Sequence, residues 1–415
     1  MKILFIYPNQ LKAIQEQLGL AYLMGQAEND GHDVRLFDFT FNDCFQLEQL
    51  LRNWKPGVVG ISAYTNEFEF VKRLSYFIKT VRHEVILLIG GIHATLCPEQ
   101  VVNETCADYV VIGEADETLI QFLHGEIPAG FYNEELYLKK PTPPDIDKLA
   151  WPDHGAFEGH FRKDFYGRTG RLGMFLTSRG CPGKCSYCSN IELRNMHRSE
   201  FGFQQWTRFR DPKDVADEIF ETAEKYNLTH FYLADDNATL KKPHMLKLCE
   251  RLDGINLPWY CMARCDTSDP EMFNAMRNAG CEIVLMGIEC GDERIRREVL
   301  NRRMSDAQIR SAFLFAREAG LKTVSFNMTG IPGEGNEEFE KTLILNKECE
   351  VDDAKMTIFT AIPNTPIFIK LREMRMLSPD FPMNYYEGTN IRLPNVTVEE
   401  LKLRQERFYR EVKAK

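Results

Sequence analysis

Three cysteines that lie within eight residues of one another carry the clearest chemical signal in the sequence. They stand in the segment Cys181-Pro-Gly-Lys-Cys185-Ser-Tyr-Cys188, with three and then two residues between them. Three thiolates at this spacing, just beyond a predicted strand, can bind three irons of a four-iron cluster and leave the fourth iron open. A structural zinc ion would need a fourth ligand, and His197 is near enough in sequence to be one. The cysteine loop therefore predicts an iron–sulfur cluster, with zinc as the alternative.

The other nine cysteines are scattered singly along a chain of 415 residues. Because no export signal precedes them, we interpret most of them as small buried hydrophobic residues and not as a disulfide framework. Cys261 and Cys265 have a ligand-like spacing but straddle a predicted strand, so we assign them to packing as well. A net charge of −10 disfavours a nucleic-acid partner. No apolar run is long enough to span a membrane, and we expect a cytoplasmic protein.

Short apolar segments separated by helical patterns fill the first part of the chain. The predicted strands are 2–7, 34–37, 58–61, 85–89 and 109–112. Buried apolar strands that alternate with helices predict an α/β fold with a doubly wound, flavodoxin-like parallel sheet. Ligands of such sheets bind beyond the carboxyl ends of the strands, and small or polar residues follow these ends here.

A second strand–helix series begins at residue 171, after a segment with five prolines and no sustained apolar period. Its six predicted strands are 173–177, 231–234, 259–262, 283–286, 324–327 and 356–359. Six repeats predict a partial (β/α)6 barrel of the TIM type, whose sites lie at the C-terminal ends of the strands. We expect four parts: a sheet domain 1–127, a Pro-rich linker 128–170, the partial barrel 171–365 and a short helical cap 366–415.

The cysteine loop and the barrel resemble the radical S-adenosylmethionine (SAM) enzymes over roughly residues 172–362. The Cys-x3-Cys-x-aromatic-Cys spacing is highly specific to that family, and the resemblance places the aromatic residue, Tyr187, near the adenine of SAM. Further residues at the strand ends are similar to the family's SAM contacts. They are Asp235, Asp236, Arg264, Glu289 and Gly330. For each of them the alternative is a turn residue or a polar group that stabilises the barrel itself.

The resemblance implies a [4Fe–4S] cluster whose open iron chelates the amino and carboxylate groups of SAM. An electron from the reduced cluster would cleave SAM to methionine and a 5′-deoxyadenosyl radical, which abstracts hydrogen from an unactivated carbon. An external electron donor of the flavodoxin or ferredoxin type is implied as the reductant. The protein would supply placement and the exclusion of water.

The sheet domain resembles the cobalamin-binding domain that precedes many radical SAM barrels. The cobalamin contacts that this resemblance implies are Ser62, Thr65, Gly90, Gly91, His93, Gly113 and Glu114. One departure concerns the Asp-x-His-x-x-Gly segment, whose histidine ligates cobalt from below. Tyr7-Pro-Asn-Gln-Leu-Lys12 occupies that region instead. If cobalamin binds, its lower face should lack a histidine ligand, which favours the Co(I) state that takes a methyl group from SAM. A flavodoxin-like domain that binds no cofactor is the alternative.

These features favour a cobalamin-dependent radical SAM enzyme. We expect a C-methyltransferase that acts on an unactivated carbon of a small-molecule or natural-product substrate, through a 5′-deoxyadenosyl radical and methylcobalamin. The alternative is a non-methylating radical catalyst of cyclisation, ring rearrangement or dehydration, with cobalamin in a redox role or absent. A cobalamin-binding sensor or carrier without catalysis is a third hypothesis, which the cysteine loop disfavours. The sequence singles out no catalytic acid or base.

Overall fold

The chain folds into two compact units. The computed structural model describes residues 1–133, 141–201, 206–394 and 396–412, and the side chains of residues 162, 163 and 196–201 lie outside that description. The first unit comprises residues 1–170 and 192–205, and the second comprises residues 171–191 and 206–415. The predicted linker thus falls within the first unit and the predicted cap within the second. The finer boundaries at residues 127 and 365 stay predictions.

The first unit is built on a six-stranded sheet with helices in the connections. In chain order its elements are β1 (Lys2–Tyr7), α1 (Leu18–Asn29), β2 (Asp33–Asp38), α2 (Cys44–Trp54), β3 (Val58–Ser62), α3 (Phe68–Val81), β4 (Ile86–Gly90), α4 (Ile92–Leu96), α5 (Pro98–Glu104), β5 (Tyr109–Val111), α6 (Asp116–Leu123) and β6 (Phe131–Tyr132). The strand order is β2-β1-β3-β4-β5-β6, parallel from β2 to β5, with β6 added antiparallel. This order is that of flavodoxin-like sheets, so the predicted fold is confirmed.

Helices on both faces of this sheet explain why its strands are apolar throughout. Successive strand residues point to opposite faces, so Leu4 and Ile6 enter one core while Ile3 and Phe5 enter the other. All four side chains are buried. Because β1 and β3 are neighbours whose connections leave in opposite directions, their C-terminal ends border a crevice at one edge of the sheet.

The second unit contains the predicted partial barrel. The remaining elements of the chain are β7 (Arg162–Phe165), β8 (Arg168–Phe175), β9 (Ser178–Arg179), α7 (Asn190–Phe201), β10 (Arg208–Phe209), α8 (Pro212–Tyr226), β11 (His230–Leu233), α9 (Lys242–Leu252), β12 (Trp259–Ala263), α10 (Pro270–Asn278), β13 (Cys281–Glu289), α11 (Asp306–Glu318), β14 (Lys322–Thr329), α12 (Asn336–Glu348), β15 (Asp353–Ile358), α13 (Pro366–Glu373) and α14 (Val398–Val412). Of these, β7 and most of α7 belong to the residues of the first unit, whereas β9 and the elements from β10 onward belong to the second. The sheet order is β15-β14-β13-β12-β11-β8-β7, and β8 to β15 pair in parallel. All six predicted strands are confirmed, and β7 is an addition that the sequence did not indicate.

Helix α11 shows how local sequence packs a helix against these strands. Ser305 and Gln308 form a reciprocal capping box that starts the helix. Its buried residues, Ile309, Ala312 and Phe313, recur at helical spacing and form one apolar stripe. Full burial of one such large side chain stabilises the fold by about 1.5–3 kcal/mol. The same arrangement after each strand brings the C-terminal strand ends to one edge.

All twelve cysteines lie in the described part of the chain, and all are free thiols. Most of the nine scattered cysteines are buried, as predicted: Cys249, Cys261, Cys265, Cys281, Cys290 and Cys349. Cys97 and Cys106 are half-buried and Cys44 is exposed. Among the helices described, none has the length and the apolar character that crossing a membrane requires.

Candidate functional site

The three clustered cysteines occupy the loop that follows β8. Cys185 is buried, whereas Cys181 and Cys188 are half-buried. The N–H of Cys188 donates to the carbonyl of Cys185 at 3.2 Å, and the N–H of Gly183 donates to Sγ of Cys181 at 3.4 Å. Burial raises the pKa of Cys181 and raises that of Cys188 to about 12. Both thiols must therefore lose a proton when they bind a metal.

The spacing of these sulfur atoms does not match a single tetrahedral zinc ion. The three do not all lie within 4.8 Å of one another. Thiolates on one tetrahedral zinc ion, with Zn–S of about 2.3 Å, would be about 3.8 Å apart. A β-carbon on Gly183 would lie 3.2 Å from Sγ of Cys181 and 3.4 Å from Nη1 of Arg264. Any larger residue at this position would therefore crowd both groups. His197, the alternative zinc ligand, lies outside the described side chains.

Two guanidinium groups lie beside Sγ of Cys185. Nη1 of Arg264 is 3.7 Å from this sulfur, and Nη1 of Arg302 is 3.8 Å from it. Asp266 fixes Arg264 by accepting two hydrogen bonds, at 2.9 and 2.7 Å. The carbonyl of Gly287 accepts a hydrogen bond from Nη2 of Arg302 at 2.8 Å. The two arginines thus place positive charge where a metal-bound thiolate would be negative.

Glu289 ends β13 in a left-handed conformation, with φ of 67°. The register of β13 against β14 shifts here, and such a bulge redirects a side chain. The carboxylate accepts a hydrogen bond from Tyr187 and lies 3.8 Å from Nη1 of Arg302. Burial raises the pKa of Glu289, and the charge of Arg302 opposes this shift. A β-carbon on Gly287 would overlap Oε1 of Glu289, so only glycine lets the carboxylate turn back over the strand.

The two predicted aspartates after β11 have different surroundings. Asp235 is buried and accepts hydrogen bonds from the N–H of Thr177 at 3.1 Å, from its hydroxyl at 2.8 Å and from the hydroxyl of Ser178. It therefore fixes the start of the cysteine loop, the structural role that the sequence left open. Asp236 is exposed, and its charge helps to raise the pKa of nearby cysteines of the loop. The SAM contacts expected of both residues stay predictions.

Gly330 follows β14 with φ of 80° and binds a buried carboxylate. Its N–H donates to Oε2 of Glu334 at 2.6 Å, and the hydroxyl of Thr329 donates to the same oxygen at 3.0 Å. Nη1 of Arg404 lies 3.4 Å from Oε2. Oε1 has no hydrogen-bond partner among the described residues. Burial raises the pKa of Glu334 to about 7, against the lowering effect of the Gly330 N–H.

Sequence reasoning missed Arg302 and Glu334. A π-helix at Ile295–Val299 changes the helical phase just before Arg302, so no periodic pattern indicates that this arginine is buried. Glu334 had a usable signal, because it stands between two glycines after a barrel strand, as Glu289 does.

The strand ends of the first unit form a second candidate site. The N–H of Ala63 donates to the carbonyl of Gly90 at 2.8 Å, and the N–H of His93 donates to the carbonyl of Ala63 at 3.0 Å. The N–H of Gly113 donates to the hydroxyl of Thr95 at 3.0 Å. These bonds gather most of the predicted cobalamin contacts at one edge: Ser62, Thr65, Gly90, Gly91, His93 and Gly113, with Glu114 directly after them.

Gly91 allows the close approach of the ends of β3 and β4. It has φ of 92°, and a β-carbon there would lie 2.8 Å from the nitrogen of Ala63 and 2.9 Å from the hydroxyl of Ser62. Such separations are well inside van der Waals contact. A side chain at this position would push the two strand ends apart.

His93 packs inside the first unit. Its ring is 2% exposed and lies 4.2 Å, centroid to centroid, from the ring of Phe68. Nδ1 is 3.3 Å from the hydroxyl of Thr65. Burial lowers the pKa of His93 to about 4, so the ring is neutral at physiological pH. We infer a packing role, and its contact with cobalamin stays a prediction.

Two further buried histidines at this edge are held by carboxylates. Nε2 of His160 lies 2.5 Å from Asp38 at the end of β2, and Nδ1 accepts a hydrogen bond from the N–H of Gln15 at 3.0 Å. His154 pairs with Glu16 through Nδ1. Among the described residues of this edge, His154 and His160 are each paired with a carboxylate, whereas His93 is packed in the interior and its Nε2 has no hydrogen-bond partner there. A crevice at the switch point and a glycine cradle suit a cobalamin whose lower face has no histidine.

Two domain families match the chain, one over each of the two candidate sites. The B12 binding domain matches residues 9–123, and the radical SAM superfamily matches residues 175–345. The first match covers the parallel sheet of the first unit, and the second covers the cysteine loop and most of the barrel.

Individual proteins match most of the length of the chain. An uncharacterized methyltransferase of Pyrococcus horikoshii is 28% identical over 396 residues, which cover 89% of this chain and 82% of that protein. An anaerobic magnesium-protoporphyrin IX monomethyl ester cyclase of Cereibacter sphaeroides is 27% identical, and the match covers 90% of this chain and 64% of that protein. The structure of the radical SAM methyltransferase TsrM from Kitasatospora setae, with cobalamin and a [4Fe–4S] cluster bound, superposes with a TM-score of 0.74 at 18% identity, covering 90% of this chain and 78% of that one.

A cobalamin-binding fold followed by a radical SAM barrel with its three-cysteine loop defines one enzyme family. The chain belongs to the cobalamin-dependent radical SAM enzymes.

Proposed function

We propose that this enzyme is a C-methyltransferase that acts on an unactivated carbon of a small-molecule substrate. The observation that carries the proposal is the histidine arrangement in the first unit. In the described residues at the C-terminal edge, His93 is packed in the interior while His154 and His160 are held by carboxylates. If cobalamin binds at this edge, the described residues there would hold it without offering a histidine nitrogen to it, and the group would supply the methyl group that replaces a substrate hydrogen.

The cofactors of the enzyme are a [4Fe–4S] cluster, SAM and cobalamin. Bound to the chain, they supply a radical that removes hydrogen from the substrate and a methyl group that replaces it. We assign the cluster to Cys181, Cys185 and Cys188. We assign SAM binding to Tyr187, Asp236, Arg264, Glu289 and Gly330. We assign cobalamin binding to Ser62, Thr65, Gly90, Gly91, Gly113 and Glu114.

The residues around the cysteine loop would position SAM without reacting themselves. Arg264 carries a positive charge that Asp266 holds in one orientation, which suits a carboxylate ligand. Glu289 offers a buried carboxylate that can accept hydrogen bonds from hydroxyl or ammonium groups. Tyr187 fixes that carboxylate from the cysteine loop, so the ligand loop and the strand end are set together.

The cyclase similarity supports a second candidate function. The anaerobic magnesium-protoporphyrin IX monomethyl ester cyclase is 27% identical over a match that covers 90% of this chain, almost as similar as the methyltransferase of Pyrococcus horikoshii at 28%. The second candidate is therefore a non-methylating radical catalyst that uses the same cofactor set or part of it.

SAM labelled with deuterium in its methyl group separates the two functions without knowledge of the substrate. The holoenzyme is incubated anaerobically with labelled SAM and a chemical reductant, and the mass of the cobalamin recovered from it is measured by mass spectrometry. A methyltransferase is expected to give cobalamin that carries the deuterated methyl group together with 5′-deoxyadenosine. Formation of 5′-deoxyadenosine with unlabelled cobalamin would favour the second candidate.

A cysteine substitution tests the cluster assignment. Cys185→Ala should lose the broad visible absorbance of the cluster and all SAM cleavage, because one iron loses its protein ligand. Cys249→Ala is the control, since this buried thiol lies on α9 outside the loop. SAM cleavage retained by Cys185→Ala would refute the assignment.

Cluster reduction needs an electron from outside the chain. We propose an external donor of the flavodoxin or ferredoxin type.

A further inference from the structure

Two imidazole rings and a carboxylate meet at the N-terminal edge of the first sheet, opposite the edge of the predicted cobalamin contacts. Nε2 of His32 lies 3.0 Å from Oδ2 of Asp30, and Nε2 of His124 lies 2.8 Å from the same oxygen. One ligand atom from each of the three side chains lies within 4.8 Å of the other two. Two imidazole nitrogens and one carboxylate oxygen are a donor set that zinc takes from proteins.

The end of helix α1 fixes the backbone of two of these residues. Asp30 is the C-cap of α1, and Gly31 follows it with φ of 84°. The N–H of Gly31 donates to the carbonyl of Glu28 at 2.9 Å, and the N–H of His32 donates to the carbonyl of Ala27 at 3.0 Å. This pair of hydrogen bonds around a left-handed glycine is the Schellman motif. Asp30 and His32 are therefore presented by a defined turn and not by a loose loop.

The end of helix α6 fixes the third residue in the same way. His124 is the C-cap of α6, and Gly125 follows it with φ of 92°. The N–H of Gly125 donates to the carbonyl of Phe122 at 2.9 Å, and the N–H of Glu126 donates to the carbonyl of Gln121 at 3.1 Å. This is a second Schellman motif. Because both turns are set by the backbone, little conformational freedom is lost when the three side chains bind one ion.

The electrostatics of the two helix ends favour a cation. A helix carries partial negative charge at its C-terminus, and over their described lengths neither α1 nor α6 has a basic residue in its last turn. The ionised carboxylate of Asp30 adds a full negative charge at the same place. The amino group of Met1 lies 3.2 Å from Nδ1 of His32, the ring nitrogen that does not face Asp30. This amino group is therefore not positioned between the three ligands.

The ligands are partly shielded and close to the geometry of a zinc site. The side chains of His32 and Asp30 are 11% and 26% exposed, whereas that of His124 is 57% exposed. A tetrahedral zinc ion with bonds of about 2.0–2.2 Å sets its ligand atoms about 3.4 Å apart, so the two hydrogen-bonded pairs need to open by about half an ångström. Rotation of the exposed His124 side chain can supply this movement, and water can take the fourth position.

We propose that Asp30, His32 and His124 bind a zinc ion that ties the end of α1 to the end of α6. The ion lies between the three donors and replaces the two hydrogen bonds that Asp30 accepts. At their other ends, α1 begins with an N-cap residue that lies 3.4 Å from Ser62, and α6 begins two residues after Glu114. The ion thus clamps the far ends of two helices that start beside predicted cobalamin contacts. The inference is independent of the proposed function, because the three ligands belong to neither candidate site.

The zinc content of the full chain tests the site. Wild type, His124→Ala and the control His83→Ala are brought to equilibrium with micromolar free zinc by dialysis, and the zinc bound per chain is measured by elemental analysis. His83 is a suitable control because it is a histidine of the first unit that is 92% exposed and lies outside the cluster. Asp30→Asn is a second variant, since asparagine keeps the shape of the side chain and an accepting oxygen but removes the charge. Zinc held by the cysteine loop is the same in every variant, so it cancels in the differences.

We expect His124→Ala and Asp30→Asn each to bind one equivalent of zinc fewer per chain than the wild type, and His83→Ala to bind as much as the wild type. A ligand that binds only the folded chain stabilises it, so added zinc should raise the unfolding temperature of the wild type more than that of His124→Ala. Magnesium should give no such difference, because it takes oxygen ligands and not imidazole.

Equal zinc contents in the wild type and both site variants would overturn the proposal, and the three side chains would then join the helices by hydrogen bonds alone. Loss of the same amount of zinc in His83→Ala would indicate unspecific binding by surface histidines and would overturn it too. A stabilisation by magnesium as large as that by zinc would overturn the choice of metal. Neither the label in cobalamin nor the cluster absorbance enters these measurements, so their outcome is separate from that of the proposed function.

Discussion

Replacement of Glu334 by glutamine should change how the stability of the enzyme depends on pH. The side chain of Glu334 is fully buried, and its Oε2 already accepts hydrogen bonds from Gly330 and Thr329. Glutamine keeps the shape and can keep an oxygen at the position of Oε2, while it removes the ionisable group. The perturbation therefore isolates the proton on this carboxyl group.

The size of the effect follows from the pKa of Glu334, which burial raises from 4.5 to about 7. One pKa unit corresponds to 1.36 kcal/mol, so the two protonation states differ by about 3 kcal/mol. A raised carboxyl pKa means that the folded protein binds the proton more tightly than the unfolded chain does. The resulting stabilisation is fully present below pH 4.5 and is lost as the pH rises through 7.

Urea unfolding of the wild type and Glu334→Gln at pH 5 and pH 8 measures this difference. The variant should gain up to about 3 kcal/mol relative to the wild type between these two pH values. Glu337→Gln, an exposed carboxylate on the adjacent first turn of α12, is the control and should show no such change. A stability difference that does not change with pH, or that changes in the opposite direction, would refute the reasoning.

Three other substitutions probe the two sites. Gly287→Ala should displace Glu289 and weaken SAM binding at least tenfold, about 1.4 kcal/mol, while the cluster absorbance stays unchanged. A normal affinity for SAM in calorimetric titration would contradict a role for Glu289. Asp235→Asn leaves a donor of Thr177 without its acceptor, so thermal melting should show a loss of stability of about 1–3 kcal/mol and iron analysis a loss of bound iron. Full iron content together with weak SAM binding would indicate that Asp235 contacts SAM instead. Gly91→Ala should abolish retention of hydroxocobalamin on gel filtration, because the new methyl group meets the backbone of the neighbouring strand; normal retention would exclude this edge as the cobalamin site.

The parallel strands could be predicted because a strand that is buried on both faces is a continuous apolar segment in the sequence. In a doubly wound sheet both faces are covered, so the strands lack the alternation of apolar and polar residues that a half-exposed strand shows. Short, wholly apolar segments such as 58–61 are therefore distinct from the more polar helices. The same reasoning located the barrel strands. The two-residue β6 and the edge strand β7 left no comparable apolar pattern, since β6 is very short and β7 has a neighbouring strand on one side only. The order of the strands within each sheet could not be predicted from their residues, because an apolar segment does not specify which strand becomes its neighbour.

The cysteine loop could be proposed as a cluster site from the sequence because its chemistry depends on spacing within one short segment, and its three cysteines stay predicted ligands. Residues that act through long-range contacts behaved differently. The SAM contact of Asp235 stays a prediction, and the sequence did not indicate that this carboxylate binds Thr177 and Ser178, which lie 58 and 57 residues away in sequence. Arg302 was not predicted, although it lies 3.8 Å from Cys185 across 117 residues of sequence. Sequence spacing carries no information on such distances, and only the packed barrel supplies it.

The glycines of the two sites indicate how this fold binds large cofactors with few reactive side chains. At Gly183 and Gly287 the space that a β-carbon would take is used by Cys181, Glu289 and guanidinium groups. At Gly91 it is used by the backbone of the neighbouring strand end. Substitution at the first two positions should therefore displace ligands while the strands stay in place, whereas substitution at the third should move the strands themselves. If all three variants lost stability equally, the glycines would serve folding alone, and close packing would not determine where the cofactors are placed.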